Sequence, residues 1–145
     1  WLWDGWEQQH DHAFVEAIWD AMDRRTRRHM IDTGTITLPT GQTIEAGQGG
    51  FEGVGSDRYP VTIIGWSKSG LTVYYQAAKA IPAKDHDHFG AQSYTFEPDP
   101  SATLKLATWR NPSKRRRDGC YVPKGQSRGG IYIRHGYGCY SDPHF

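Results

Sequence analysis

The stretch Tyr59-Pro60-Val61-Thr62-Ile63-Ile64-Gly65-Trp66-Ser67-Lys68-Ser69-Gly70-Leu71-Thr72-Val73-Tyr74-Tyr75-Gln76 decides the fold. Its two halves, 59–66 and 71–76, are rich in β-branched and aromatic side chains, which suit a pleated, half-buried surface. Ser67-Lys68-Ser69-Gly70 between them places glycine where a hairpin needs a positive φ. Outward from this hairpin the same grammar recurs. Residues 35–38 and 42–45 flank the turn Pro39-Thr40-Gly41, which predicts a second hairpin. Residues 92–97, 103–109, 120–122 and 131–134 complete the expected strands. Residues 47–55 hold five glycines and little that can be buried, so a loop is expected over 47–56. Several short, closely spaced strands predict a small barrel or a strongly bent antiparallel sheet.

Upstream the period changes. Phe14, Ala17, Ile18, Ala21 and Met22 recur at steps of three and four, and Trp6 and His10 extend the row backwards, as on one buried helical face. Asp4 followed by Glu7 fits a capping box. Arg24, Arg25, Arg27 and Arg28 gather where cations offset the negative end of a helix dipole, and Gly34 supplies a stop. The expected class is therefore α+β. One N-terminal amphipathic helix (1–32) packs on the sheet or barrel, followed by a short hairpin (33–46), a Gly-rich loop (47–56) and a barrel-like module (57–145).

Length and charge bound the rest. With 145 residues the chain suits one domain, since two cores would each lie near the lower size limit. Uninterrupted apolar runs such as 61–64 fall far short of the roughly 20 residues that span a bilayer. Residues 1–16 have no basic start followed by an apolar run, so no signal peptide is expected and the expected location is the cytoplasm. The net charge of +1 conceals a polarity. Residues 1–32 carry 4 Lys+Arg against 7 acids, a net of −3, and residues 33–100 repeat those numbers. Residues 101–145 carry 9 against 2, a net of +7. A basic third on an acidic body suits a nucleic-acid or acidic-protein partner, unless the two parts neutralise each other in the fold. Cys120 and Cys139 belong to no CxxC motif and read as reduced, buried thiols in preference to a disulfide.

Catalytic signatures are thin. His10-Asp11-His12 and Asp85-His86-Asp87-His88 supply imidazoles, the common ligands of zinc, copper or nickel. On a helix His10 and His12 diverge by about 200°, and no HExxH or Cys/His ladder accompanies either pair. His10, His12, His86 and His88 are therefore weak metal candidates, and a metal-dependent hydrolase ranks third among the functions. No GxSxG elbow or phosphate-binding glycine loop occurs, and pairing Asp57 with Glu52 or Glu97 as acid and base requires their separation in space, which the sequence does not give. No cofactor is expected. Binding has more behind it: Lys114-Arg115-Arg116-Arg117 lies between Trp109 and Tyr121, with Arg110, Lys124 and Arg128 nearby. Cations neutralise phosphates and exposed rings stack on unpaired bases. The competing reading is a solvated hairpin tip whose charges keep an edge soluble, with Trp109 and Tyr121 in the core.

Residues 56–64 (SDRYPVTII) with 67–73 (SKSGLTV), then 109–111 (WRN), 119–125 (GCYVPKG) and 140–145 (YSDPHF), resemble a group of small uncharacterised phage and prophage proteins. The likeness spans roughly residues 47–145. It implies an SH3-like or KOW-like β module of phage or mobile-element origin, and it carries no catalytic residue with it. Residues 112–117 and the aromatic-rich segment 1–32 depart from the pattern. The expected function is a non-enzymatic phage accessory protein that binds nucleic acid or a host nucleoprotein complex. The alternative is a protein-directed inhibitor of a bacterial defence system, anti-CRISPR-like, whose Trp-rich helix (Trp1, Trp3, Trp6, Trp19) anchors a protein target. No membrane partner is expected.

Overall fold

The computed structural model describes residues 29–87, 92–114, 119–125, 129–133 and 136–140. The strands are β1 (Thr35–Thr37), β2 (Thr43–Glu45), β3 (Gly49–Val54), β4 (Asp57–Trp66), β5 (Thr72–Ala77), β6 (Lys79–Pro82), β7 (Tyr94–Glu97), β8 (Lys105–Arg110), β9 (Cys120–Pro123) and β10 (Gly130–Tyr132). Six of them close an antiparallel barrel in the order β10-β3-β4-β5-β8-β9, with Ile131 opposite Tyr121 at the closure. The β1-β2 and β6-β7 hairpins stand outside the barrel as separate two-stranded sheets. Closure removes the exposed edges that a bent open sheet would leave.

The decisive hairpin forms β4 and β5. Gly70 takes a φ of 76°, its N–H donates to the Ser67 carbonyl at 2.9 Å, and Ser67 N–H donates to the Thr72 carbonyl at 2.9 Å. A register shift between Ile63 and Gly65 inserts Ile64 as a bulge, which bends the strand into the barrel wall. Residues directly opposite on paired strands share a face, so Ile63 opposite Tyr75, Val73 opposite Ala107, and Tyr121 between Trp109 and Ile131 line one continuous core. From Pro60 to Trp66 every residue of β4 is buried, on both faces. Fully burying an aliphatic side chain such as Ile63 or Val73 stabilises the fold by about 1.5–3 kcal/mol.

What covers the outer face of β4 corrects the expected α+β class. Among the described residues the fold is all-β, and no helix packs on the barrel. The segment that approaches is extended: Ile31 N–H donates to the Trp66 carbonyl at 2.7 Å and Trp66 N–H donates to the Ile31 carbonyl at 2.9 Å. That two-way bridge buries Met30 and Asp32 beside the strand end. Leu38, Ile44 and Ala46, from the β1-β2 hairpin and the turn after it, join the same core cluster. The helical period thus misjudged how the chain enters the barrel, because periodicity within a segment does not say where that segment docks. Residues 1–28 of the expected helix lie outside the described residues. No helix long and apolar enough to cross a membrane occurs among the described residues.

The glycine-rich stretch is a second correction. In place of a loop over 47–56, Gly49–Val54 is a strand paired with β4 along its whole length and with β10 from Phe51 to Gly53. Its glycines serve close approach. A Cβ on Gly49 would lie 2.4 Å from the Tyr137 ring, and one on Gly50 would lie 2.7 Å from the Tyr132 carbonyl. β6 was not anticipated either, since it is short, mostly exposed and ends on proline.

Candidate functional site

The basic run predicted as a binding surface follows β8. Arg110 ends that strand and is exposed, and Lys114 is exposed in the loop beyond it. Trp109 is half-buried, donates from Nε1 to Asn111 Oδ1 at 3.0 Å, and meets Tyr121 edge-on at 5.2 Å with 69° between the rings. Gly119 makes this possible, because a Cβ there would lie 2.6 Å from the Trp109 ring. Tyr121 is a core residue rather than a stacking platform: it is 2% exposed and donates from its hydroxyl to the Gly70 carbonyl at 2.6 Å. Burial pushes its phenol up to about 12. Lys124 is exposed but distant from Arg110. Arg110 sits opposite Cys120 at one end of β9, whereas Lys124 follows Pro123 at the other, about 13 Å along the strand. The structure therefore brings Trp109, Arg110 and Lys114 to one end of the β8-β9 hairpin and leaves Lys124 at the other. Arg115, Arg116, Arg117 and Arg128 lie outside the described residues.

Across the barrel from β8-β9, the β3-β4 side carries a second feature, an open groove of about 620 Å³. Three separate segments build it. Strand alternation places Tyr94 and Phe96 of β7 on one face. Residues 136–140 cross as a strap, pinned where Arg58 and Tyr140 exchange backbone hydrogen bonds at 2.8 and 2.9 Å. Tyr137 fixes the strap's other end: its hydroxyl shares a 2.8 Å hydrogen bond with buried Thr62, and its ring stacks on Phe96 at 5.3 Å and 9°. From β4, the Arg58 guanidinium lies 5.0 Å from the Phe51 ring, which itself stacks on Tyr132 at 5.3 Å. Cys139 sits between, its thiol pushed up by burial, and the Tyr94 phenol is raised by burial and by that neighbouring thiol. Tyr94 donates to Gln92 Oε1 at 3.0 Å at the rim. Sequence reasoning missed this groove. Its only sequence signal is the aromatic spacing in Tyr94-Thr95-Phe96 and Tyr137-Gly138-Cys139-Tyr140, which does not say that the two segments meet.

The remaining candidates are placed as follows. His86 accepts a hydrogen bond at Nδ1 from Ser93 N–H at 3.1 Å, and its ring packs on Tyr94 at 4.7 Å. His10, His12 and His88 lie outside the described residues, within which no three His, Cys, Asp or Glu side chains gather. Asp57 accepts from the Tyr59 hydroxyl at 3.1 Å. The Tyr75 phenol is pushed up to about 12 by burial and then by the Glu52 carboxylate. Both cysteines are free thiols, Cys120 buried and Cys139 half-buried. Comparison with protein-family models found no matching family, and comparisons with curated proteins and with solved structures found no match.

Proposed function

We propose that this protein is a non-enzymatic nucleic-acid-binding module, acting on nucleic acid itself or on a host nucleoprotein complex. The observation that carries the reading is the net charge of +7 on residues 101–145, which surfaces in exposed Arg110 and Lys114 beside half-buried Trp109. Phosphate neutralisation by such residues supplies affinity without requiring a catalytic group. The six-stranded barrel is compatible with an SH3-like module. The phage or mobile-element origin, and with it a host cytoplasmic location, rests on the resemblance of residues 47–145.

The test is fluorescence anisotropy with labelled single-stranded and duplex oligonucleotides across a salt series. Replacing Lys114, Arg115, Arg116 and Arg117 together by alanine should flatten the log–log salt slope by about 3. Unchanged binding at low salt would overturn the reading. Capture of a host protein that survives nuclease treatment, with no oligonucleotide binding, would overturn it in favour of a protein-directed inhibitor.

A further inference from the structure

The groove on the β3-β4 side is assigned nothing by the reading above, and its lining is specific in kind. Among the described residues it presents four aromatic rings (Tyr94, Phe96, Tyr137, Tyr140), one cation (Arg58) and no carboxylate. Its volume of about 620 Å³ falls within the range of small-ligand sites, roughly 300–1,000 Å³. The rings are not a collapsed core, since Tyr140 remains 37% exposed and the groove is open to solvent. The guanidinium of Arg58 lies 5.0 Å from the Phe51 ring, and Arg58 is the charged side chain among the groove's described lining. A planar group among rings, with a negative charge beside a guanidinium, is the chemistry of a nucleobase and its phosphate.

We propose that this groove seats one unpaired nucleotide, its base among Tyr94, Phe96 and Tyr140 and its phosphate toward Arg58. The proposal rests on the nucleic-acid reading and names the form bound: a base must be unpaired to enter, so single strands are preferred over duplex. Free nucleotides present the same chemistry and are the other source. A proline-rich peptide also docks on aromatic grooves, but its neutral backbone leaves Arg58 without a complementary charge.

Cys139 lines the groove and Cys120 is buried elsewhere, so the chain contains its own reporter and its own reference. The full chain is treated with a maleimide and both cysteines are followed by peptide mass spectrometry, with a pyrimidine 12-mer, the same strand as a duplex, uridine monophosphate or a proline-rich peptide. Anisotropy on the same samples reports whether strands bind at all. The expected result is slowed Cys139 labelling with the single strand and not with the duplex, and a roughly tenfold weaker protection in Arg58→Ala or Tyr140→Ser. Both side chains are exposed, so these variants keep the core. Protection by the mononucleotide alone supports the same site with a free nucleotide as its ligand. A strand that binds by anisotropy while Cys139 labels at its free rate overturns this inference and leaves the basic-edge reading standing. Absence of binding by every nucleic-acid probe overturns both, and protection by the peptide alone overturns the nucleotide in favour of a peptide.

Discussion

Replacing Gly49 by alanine tests whether the glycine-rich stretch is a strand because of what packs upon it. A Cβ on Gly49 would lie 2.4 Å from Cδ2 and 2.6 Å from Cε2 of Tyr137, about 1 Å inside the ordinary carbon–carbon contact of roughly 3.5 Å. The backbone raises no objection, since Gly49 is not at positive φ, and alanine should regain about 0.5–1 kcal/mol of chain entropy. The ring has no free direction of retreat. Its hydroxyl is tied to Thr62 and its face to Phe96, so moving it gives up at least one contact. Stranding the buried Thr62 hydroxyl costs about 1–3 kcal/mol, and shifting the ring from Phe96 costs about 0.5–1.5 kcal/mol. After the entropy gain, the expected destabilisation is about 1–3 kcal/mol, or roughly 3 °C in Tm for each kcal/mol in a chain of this length. Urea unfolding followed by tryptophan fluorescence measures it directly. A double-mutant cycle adds the mechanism: Tyr137→Phe should cost about 1 kcal/mol or more in the parent and almost nothing in Gly49→Ala, whose ring has already left Thr62. A Gly49→Ala variant within about 0.5 kcal/mol of the parent, or strict additivity with Tyr137→Phe, would refute the reasoning.

Three further outcomes follow from the core and the thiols. Tyr121→Phe leaves the Gly70 carbonyl without its 2.6 Å hydrogen bond and should lower stability by about 1–2 kcal/mol, read as a reduced urea midpoint at unchanged m-value. Tyr75 and Tyr121 ionise near 10 when unfolded and near 12 when folded, so the native state holds protons that the unfolded chain has lost. The stability this confers is complete below pH 10 and declines as pH rises towards 12; tyrosinate absorbance should show these two phenols ionising last, together with unfolding, and their titration near pH 10 in a folded protein would contradict it. Under native conditions an alkylating reagent should modify Cys139 well before Cys120, which is 6% exposed, and equal rates would contradict the placement of the strap.

The parts of the fold legible in the sequence are those whose causes are local. The 59–76 hairpin announces itself because β-branched runs and a positive-φ glycine act within a few residues of each other. β3 does not, because the need for glycine at positions 49 and 50 comes from Tyr137 and Tyr132, far along the chain. The helical period at the N-terminus carried no information about Ile31 pairing with Trp66 as an extended segment. The site divides in the same way. Lys114-Arg115-Arg116-Arg117 is conspicuous as a string, whereas the groove is assembled from β4, β7 and the strap, none of which looks like a site alone.

Charge summed along the chain and charge placed in space give different answers here, and the difference is measurable. The basic third is not one patch, since the pairing of β8 with β9 holds Arg110 and Lys124 at opposite ends of the hairpin. Conversely, Arg58 belongs to the segment 33–100, whose net charge is −3, yet it stands in a groove whose described lining has no acid. A ligand held through the groove alone neutralises one cation, so its affinity should fall with log salt at a slope of about −1 or shallower. One held on the β8-β9 loop, where four consecutive cations occur, should show a slope near −3. The β8-β9 and β3-β4 strand pairs lie on opposite sides of the barrel, and a strand held at both surfaces should show the sum of the slopes. Arg58→Ala should then remove about one unit from the slope and the four-residue alanine variant the remainder. Slopes that respond to the loop variant but never to Arg58 would place all the phosphate contacts on the β8-β9 side.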